Sequence, residues 1–301
     1  MNKKVLQDKK LHPRNKHQGL YDFEKLVQVV PALQQFVVKN PKGENTIDFS
    51  NADAVYLLNK ALLFSEYNLS YWETPKGYLC PPIPSRADYV HYVADLISED
   101  LGELAKGSDI CVLDIGVGAN LIYPIIGVME YDWTFVGTDT EMDSLRNAHQ
   151  LVKENPYLKT NVQLRWQENK QFIFKNVVER KDYFDAVVCN PPFFKSKEEA
   201  LGQNARKVKN LGLKGDKNQQ NFAGQSNELW CDGGELKFIT AMMYESDKIK
   251  NQVNWFTALV SNKDHLVNLQ NTLKKIGAKR TRVVPMAQGN KQSRFIAWSF
   301  K

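Results

Sequence analysis

The stretch from residue 109 to residue 139 constrains the fold of this chain more than any other part of its sequence. It opens with an apolar strand that runs into Asp114-Ile-Gly116-Val-Gly118, a glycine-rich turn. An amphipathic segment follows, and a second apolar strand then ends in Asp139. A strand, a glycine turn, a helix and a second strand in this order predict one unit of an α/β sheet.

Strands and helices continue to alternate to the end of the chain, and this alternation predicts the fold class. The strands are expected near 110–115, 134–138, 161–166, 185–189, 253–260, 281–286 and 294–300, and the helices near 120–129, 141–154, 233–248 and 263–276. Such a pattern forms an α/β fold with a doubly wound, mainly parallel seven-stranded sheet covered by helices on both faces. The last two strands are expected to form an antiparallel hairpin.

The glycine turn and the following strand end also indicate what this part of the chain binds. Glycines at 116 and 118 let a ligand approach the backbone where a Cβ would clash. Asp139 lies 21 residues after Gly118, the spacing at which a strand-end carboxylate binds the two hydroxyls of a ribose. Leu121 stands where a dinucleotide fingerprint has its third glycine, and no P-loop lysine follows. We therefore expect an adenosine-containing cofactor that is neither a dinucleotide nor a nucleoside triphosphate.

The tetrapeptide Asn190-Pro191-Pro192-Phe193 follows an apolar strand and predicts a binding site at the strand end. Two consecutive prolines remove two backbone donors and fix φ, so the chain leaves the sheet rigidly. The Asn190 amide and the Pro191 carbonyl are expected to face a pocket as acceptors, with the Phe193 ring covering a flat substrate. Two acceptors beside a ring suit a planar NH2 group, such as the exocyclic amine of adenine. The alternative is a turn that only ends the strand.

Further motifs accompany these two, in one order along nearly the whole chain. They are Leu11-His-Pro-Arg-Asn-Lys-His17, Tyr21-Asp-Phe23, Pro82-Ile-Pro-Ser-Arg86-x-x-Tyr89-x-His91, Gly233-Gly-Glu-Leu236 and Ala297-Trp-Ser-Phe300. Together the motifs resemble the bacterial large-subunit ribosomal RNA adenine-N6 methyltransferases, which are class I S-adenosylmethionine-dependent enzymes with a Rossmann-like fold. The resemblance implies S-adenosylmethionine as the cofactor and adenine 1618 of 23S rRNA as the target. Composition and spacing by themselves indicate only an adenine-like amine.

The motifs and the resemblance together predict the site residues. The catalytic residues are expected to be Asn190, Pro191 and Phe193. The cofactor-binding residues are expected to be Arg86, Asp114, Gly116, Gly118, Asp139, Lys170 and Asn190, with Arg86 against the cofactor carboxylate. The RNA-binding residues are expected to be Arg14, Asn15, Lys16 and His17, so deleting residues 1–20 should cripple RNA methylation while cofactor binding survives.

Each of these assignments has a simpler alternative. Asp114 could serve merely as a cap of the glycine turn, and Arg86 could be a surface residue at the start of a helix. Lys170 matches its family counterpart loosely. Residues 14–17 could be a solvated tail, because polar and charged runs usually face water.

Positive charge is concentrated in two segments of the chain. The net charge is +6, but residues 1–20 carry six basic residues against one acidic, and residues 195–217 carry seven against three. Although a charge run is more often a solvated surface, two such runs beside a base-sized pocket favour a nucleic-acid partner. We expect a basic helical RNA-binding extension over 1–85 and a methyltransferase domain over 86–301, with a mobile insertion at about 195–231.

Other features of the sequence predict the cellular location of the protein, the state of its cysteines and its partners. No apolar run is long enough for a membrane span and the start lacks a signal-peptide core, so a cytoplasmic protein is expected. Four cysteines without C-x-x-C spacing are expected to be reduced thiols, and no metal site is expected. The expected partner is 23S rRNA or a large-subunit assembly intermediate, with the protein as a monomer.

Two alternative functions remain open at this point. Asn-Pro-Pro-aromatic motifs also serve enzymes that methylate a glutamine amide in proteins, or the exocyclic amines of DNA bases and of guanine in RNA. The other alternative is a non-catalytic RNA-binding assembly factor on a methyltransferase scaffold. Such a factor would keep its function when Asn190 is replaced by Ala.

Overall fold

The computed structural model describes residues 10–75, 78, 80–196, 199, 230–288 and 291–301. Within these residues the strands are β1 (Val37–Lys39), β2 (Asn45–Ile47), β3 (Cys111–Ile115), β4 (Thr134–Asp139), β5 (Val162–Trp166), β6 (Phe184–Cys189), β7 (Val253–Leu259), β8 (Arg280–Gln288) and β9 (Lys291–Ser299). The first two pair in a small antiparallel hairpin, and the other seven form one sheet.

The described helices cover both the N-terminal region and the sheet. They are α1 (Phe23–Val29), α2 (Ala52–Glu66), α3 (Ile83–Leu101), α4 (Ile122–Tyr131), α5 (Met142–Glu154), α6 (Pro156–Asn161), α7 (Gly234–Ser246) and α8 (His265–Lys275). Two short 3-10 helices cover Pro31–Phe36 and Asp247–Ile249.

The large sheet has the strand order β5-β4-β3-β6-β7-β9-β8. Strands β3 to β7 run parallel, and β9 runs antiparallel to both β7 and β8. The chain continues from β3 to β4 on one side and returns to β6 on the other, so the carboxyl ends of these strands border a crevice that binds ligands in such sheets. The predicted fold class is confirmed, including the C-terminal hairpin; the tip of its turn, 289–290, lies outside the described residues.

Helix α4 packs very closely on the sheet at Gly127. A Cβ added there would lie 2.4 Å from Phe135 Cζ and 3.1 Å from Trp133 Cε3. Gly127 thus provides the close contact of helix and strand that the third glycine provides in dinucleotide-binding folds. Position 121 holds a fully buried leucine with φ of 53°, in the left-handed region.

Several boundaries differ from the predicted ones. Helix α3 begins at Ile83 and not at Arg86, because a proline in the first helical turn loses no backbone hydrogen bond. Ile83 and Pro84 therefore belong to the first turn of α3. The hairpin of β1 and β2 and the short α6 were not expected, since elements of three to six residues carry too little periodicity to be recognised.

The first two helices are bounded by recognisable residues. The apolar pattern that starts at Phe23 breaks at Pro31, where α1 is followed by a 3-10 helix. Asn51 caps α2, because its side chain accepts from the backbone N–H groups of Asp53 and Ala54.

The segment of residues 12–17 is anchored on α3 and is not a solvated tail. The His12 N–H donates to Asp88 Oδ1 at 2.9 Å. The Asn15 side chain donates to the same oxygen at 2.6 Å and to Pro84 O at 2.9 Å. Because His12, Asn15 and Asp88 are buried, these bonds are shielded from water and hold the segment against the helix.

The four predicted RNA-binding residues divide into two buried and two exposed side chains. Asn15 and His17 are buried, whereas Arg14 and Lys16 are exposed. The exposed pair already has acidic partners, since Arg14 Nη2 lies 2.5 Å from Asp95 Oδ1 and Lys16 Nζ lies 2.7 Å from Glu130 Oε1. Asn15 and His17 thus have structural contacts, and RNA contact by this segment stays a prediction.

The N-terminal region and the sheet share one hydrophobic core. A single buried cluster contains Leu26 and Leu62 of the N-terminal helices, Val93 of α3 and Ala297 of β9. The division at residue 85 stays a prediction, and most of the expected insertion lies outside the described residues. Since the segment of residues 12–17 holds α3, its contacts change the expected effect of deleting residues 1–20: folding should weaken as well as RNA methylation.

Asn15→Ala is expected to lower the free energy of unfolding by about 1–3 kcal/mol, because Asp88 would lose a buried donor and the His17 N–H would lose its acceptor. Urea denaturation followed by tryptophan fluorescence measures the change. Lys10→Ala, at an exposed position just before this segment, is the control and should shift stability by less than about 0.5 kcal/mol. Equal stability of Asn15→Ala and the wild type would contradict the anchoring role.

Stability is also expected to fall with decreasing pH through the buried histidines. Burial lowers the pKa of His17 to about 4 and that of His91 to about 3. In the unfolded chain both titrate near pH ~6.5, so the unfolded state binds protons first as the pH falls. The two histidines therefore do not reduce the free energy of unfolding above about pH 6.5, and they reduce it progressively as the pH falls towards ~4. Urea unfolding at several pH values should show a shallower decline for His17→Gln; an unchanged slope would contradict this origin.

Candidate active site

A cavity of about 370 Å³ opens at the carboxyl ends of the parallel strands, in the size range of small-molecule sites. One part of its wall is the glycine turn after β3 together with the ends of β4 and β5. The other part consists of residues after β6 and residues that lead into α7. Helix α3 contributes Arg86, and α4 contributes Ile122 and Tyr123.

The glycine turn presents bare backbone to the cavity. Gly116 and Gly118 have φ of 75° and 66°, which glycine adopts without strain. The N–H groups of Gly116 and Val117 both donate to Thr138 O at 2.9 Å, which ties the turn to β4. A Cβ built on Gly116 would meet no atom of the described residues within 4 Å, its two chain neighbours aside, and Gly116 lines the cavity. The turn therefore leaves room for a ligand directly against its backbone.

Asp139 ends β4 and lines the cavity beside the glycine turn. Its Oδ2 accepts from the Gly118 N–H at 2.9 Å, and its Oδ1 accepts from the Glu141 N–H at 2.9 Å. Burial raises the pKa of this carboxyl, while its backbone hydrogen bonds act in the opposite direction. Each carboxylate oxygen accepts further hydrogen bonds, so the group suits a pair of ligand hydroxyls.

Asp114 lies behind the glycine turn and is fully buried. In the part of the chain that the structure describes, neither of its carboxylate oxygens has a hydrogen-bond donor. Burial raises the pKa of Asp114 well above its usual range; Asp139 raises it further, whereas Arg86 lowers it. Asp114 thus does not cap the turn by hydrogen bonding, and its neighbours Ile115 and Gly116 line the cavity in its place.

The Asn-Pro-Pro-Phe tetrapeptide lies where the sequence predicts it, directly after β6. Cys189, Asn190 and Pro192 line the cavity. Pro191 is buried and Phe193 is half-buried, and neither side chain belongs to the described lining. The acceptor role of the Pro191 carbonyl and the stacking role of Phe193 stay predictions.

Arg86 and Lys170 both line the cavity, as their predicted roles require. Arg86 Nη1 lies 3.5 Å from Asn190 Oδ1, the outer limit of a hydrogen bond. Lys170 is exposed and forms an ion pair with Glu141, which also lines the cavity. The cavity thus brings two basic side chains, one from α3 and one from the segment after β5, to the same space as Asp139.

Sequence reasoning missed the residues that lead into α7. Trp230, Cys231 and Asp232 line the cavity. Trp230 pairs with Phe194 in an isolated bridge, and the Cys231 N–H donates to Phe194 O at 3.1 Å. No periodic pattern marks these residues, and their one sequence signal is their position directly before Gly233-Gly-Glu-Leu236.

A glycine allows the two chain segments on either side of the insertion to approach each other. A Cβ on Gly234 would lie 2.9 Å from Lys195 Cγ and 3.3 Å from Lys195 N. Gly234 also has φ of 66°, so a side chain there would be strained as well as crowded. This contact keeps the residues after the tetrapeptide beside the start of α7.

Three further features of the described residues concern metals, membranes and thiols. No group of three or more His, Cys, Asp or Glu side chains there could hold a metal ion. No helix in the described ranges is long and apolar enough to cross a membrane. All four cysteines are free.

Comparison with known proteins agrees with this geometry. The profile of a family described as RNA methyltransferase matches residues 5–301. A protein named ribosomal RNA large subunit methyltransferase F from Psychromonas ingrahamii is 48% identical over 305 residues, which cover 100% of this chain and 98% of the relative. A protein of the same name from Flavobacterium johnsoniae is 50% identical over 294 residues, which cover 96% and 93%.

Solved structures share the fold over nearly the full length. The crystal structure of the hMettl16 catalytic domain in complex with MAT2A 3'UTR hairpin 1 matches with a TM-score of 0.81 and 28% identity, covering 97% of this chain and 96% of that one. The N-terminal domain of human METTL16 in complex with SAH matches with a TM-score of 0.76 and 24% identity, covering 97% and 99%. These matches confirm the resemblance that the motifs indicate, and the chain belongs to the RNA methyltransferase family.

Proposed function

We propose that this RNA methyltransferase transfers a methyl group from S-adenosylmethionine to the N6 amine of a specific adenine in 23S ribosomal RNA. The observation that carries the proposal is that Asn190 lines the same cavity as Gly116 and Asp139. A predicted amine acceptor and a predicted ribose-binding carboxylate therefore share one space. The large-subunit substrate is supported by the names of the relatives, and the choice of adenine by the motif resemblance.

The described residues of the cavity fit S-adenosylmethionine. The open backbone at Gly116 leaves room for the methionine part, and Asp139 accepts from the ribose hydroxyls. Arg86 provides a positive charge for the cofactor carboxylate, and Lys170 provides a second one. When bound, S-adenosylmethionine supplies an electrophilic methyl group on a sulfonium sulfur.

Asn190 acts on the amine by orienting it. The Asn190 Oδ1 and the Pro191 carbonyl each accept one N–H of the adenine N6, which favours a pyramidal nitrogen with its lone pair directed at the methyl group. With the cofactor held by Asp139 and Arg86, the new N–C bond at N6 would form as the C–S bond to the sulfonium sulfur breaks. Asn190 has no titratable group and cannot be a general base, so the N6 proton leaves to water. Positioning is then the main catalytic contribution.

The long contact between Arg86 and Asn190 is compatible with this role. At 3.5 Å the Arg86 Nη1 holds the Asn190 Oδ1 only weakly. An amide oxygen has two lone pairs, so Oδ1 accepts from the substrate amine while Arg86 remains beside it. The oxygen of the Asn190 amide faces Arg86 in this arrangement.

The target adenine must leave its helix to reach Asn190. Removing a base from a stack costs a few kcal/mol, and less when the base is already unpaired. Stacking on an aromatic ring, the role we assign to Phe193, contributes about 1–3 kcal/mol of binding free energy. The basic segments at 1–20 and 195–217 would attract the RNA backbone by charge; the second lies almost wholly outside the described residues. We further propose a monomer that acts in the cytoplasm.

Asn190→Ala is expected to abolish methyl transfer, because the amine loses the acceptor that orients it. The assay uses radiolabelled cofactor and unmodified 23S rRNA, and nucleoside mass spectrometry identifies the product. The wild type should yield N6-methyladenosine, whereas the rate of methyl transfer by the variant should be lower by about 100-fold or more. Asn271→Ala, at an exposed position of α8, is the matched control and should retain full activity.

Each other result of this assay has a definite meaning. Label in protein or DNA but not in RNA would keep the cofactor site and overturn the substrate. Label in RNA as methylguanine would overturn the target base. A wild type that binds cofactor but transfers no methyl group to rRNA or to assembly intermediates would favour the non-catalytic assembly factor.

Asp139→Ala is expected to weaken cofactor binding about 10- to 100-fold, because hydrogen bonds to a charged carboxylate contribute about 1.5–3 kcal/mol. The variant also removes the acceptor of the Gly118 N–H, so the glycine turn loses one of its ties. Calorimetric titration with S-adenosylhomocysteine measures the dissociation constant. Asp143→Ala, on the exposed start of α5, is the control; equal affinity of both variants would remove Asp139 from the cofactor site.

A further inference from the structure

Strands β6 and β7 separate just before the active-site tetrapeptide. In the described chain their register ends at Val187 opposite Phe256, although β6 continues to Cys189 and β7 to Leu259. The last residues of β6 therefore lack the ladder that a continuing neighbour would provide on this side. The backbone N–H of Cys189, one residue before Asn190, needs another acceptor because Cys189 is buried.

The hydroxyl of Tyr89 on α3 provides this acceptor. The Cys189 N–H donates to Tyr89 Oη at 3.3 Å. Tyr89 Oη lies 2.6 Å from Thr257 Oγ1 of β7, and the Thr257 hydroxyl donates to Val187 O at 2.7 Å. Since the Thr257 proton is used at Val187, the Tyr89 hydroxyl must be the donor to Thr257. All three hydrogen bonds then have a unique direction and bridge the gap between the strands.

The bridge is dry and its ring is held in place. Tyr89 and Thr257 are fully buried, so water cannot replace either hydroxyl. The Tyr89 ring contacts Tyr123 edge-on with centroids 5.4 Å apart, and its centroid lies 5.1 Å from that of Phe295. A lost hydroxyl would leave buried polar groups without a partner, which costs more than the bond itself contributes.

Helix α3 reaches the active site at two points that are one turn apart. Arg86 and Tyr89 are spaced i, i+3 and share a helix face. Arg86 lines the cavity and approaches the Asn190 side chain, whereas Tyr89 holds the backbone that leads into Asn190. One helix thus contacts the side chain of Asn190 and the backbone of Cys189, the residue that precedes it.

We propose that Tyr89 is the positioning residue of Asn190 and that it acts through Thr257 and the Cys189 amide. The proposal rests on the proposed function of Asn190 in orienting the amine. Tyr89 touches neither substrate nor cofactor; it keeps the end of β6 at the distance from the transferred methyl group that in-line attack requires. Small displacements of a reacting group reduce rates strongly, so the hydroxyl should affect kcat more than binding.

Tyr89→Phe tests this inference in the full-length protein. The kcat for methyl transfer to 23S rRNA should fall about 10- to 100-fold. The KM for S-adenosylmethionine and the dissociation constant of S-adenosylhomocysteine should stay within about twofold, since the glycine turn and Asp139 are untouched. Amide hydrogen exchange of the peptide that contains Cys189 should accelerate, because its N–H loses the acceptor.

Tyr183→Phe is the matched control. Tyr183 precedes the opposite end of β6, and its hydroxyl donates to Asn254 of β7 at 2.6 Å. The control therefore removes a tyrosine hydroxyl bond near the same strand pair, far from the tetrapeptide, and should leave kcat unchanged. Should Tyr89→Phe not fold, Thr257→Val removes the second hydroxyl of the bridge and should reproduce the loss of kcat, whereas Thr257→Ser keeps a hydroxyl and should restore most of it.

An unchanged kcat in Tyr89→Phe or Thr257→Val would overturn the inference, as would equal losses in kcat and cofactor affinity, which indicate general disruption. The activity of the wild type distinguishes a failure of this inference from a failure of the proposed function. If the wild type methylates a different amine, the proposed substrate is wrong and the same kcat comparison is made on that amine. If it transfers no methyl group, unchanged exchange at Cys189 in the variant would still refute the bridge, while faster exchange would support it.

Discussion

The reversal of strand order at β3 is the constraint on which the rest of the structure depends. Strand β3 pairs with β4 on one side and β6 on the other, and the chain crosses to these neighbours in turn. Their carboxyl ends border one crevice, which is where Gly116, Asp139 and Asn190 all line the cavity. Residues 74 positions apart in the sequence become one site because parallel strands end at the same edge of a sheet.

The N-terminal region is part of this site and does more than carry charge. The Trp72 indole donates to Asn120 O at 3.2 Å, directly after the glycine turn. The Asn147 side chain of α5 donates to both Glu73 O and Ala119 O, so it joins the loop between α2 and α3 to the same turn. With α3 held by the segment of residues 12–17, the N-terminal region supports the glycine turn from outside the sheet. RNA recognition and cofactor binding are therefore expected to respond together to changes in this region.

The sequence predicts the features that local chemistry determines, and it misses those that depend on distant contacts. The strands, Gly116, Asp139 and Asn190 are recognisable because apolar runs, bare turns and strand-end polar residues leave local signals. The burial of Asn15 depends on Asp88, which is 73 positions away, and a polar run does not reveal such a partner. Trp230 reaches the cavity through its bridge to Phe194 across the insertion, a contact without any local signal. Close packing at Gly127 in place of Leu121 likewise depends on a ring from β4.

The charges around the cavity explain why it suits a ligand with both signs of charge. Asp114 and Asp139 both have a raised pKa, which means that their surroundings disfavour negative charge in the absence of a cation. A cationic ligand nearby would reverse this effect, because opposite charges interact strongly in a buried site. Arg86 provides the complementary charge for an anionic group in the same cavity. A ligand that carries both a cationic and an anionic group, as the proposed S-adenosylmethionine does, would therefore find charges of opposite sign in Asp139 and Arg86 on the cavity wall.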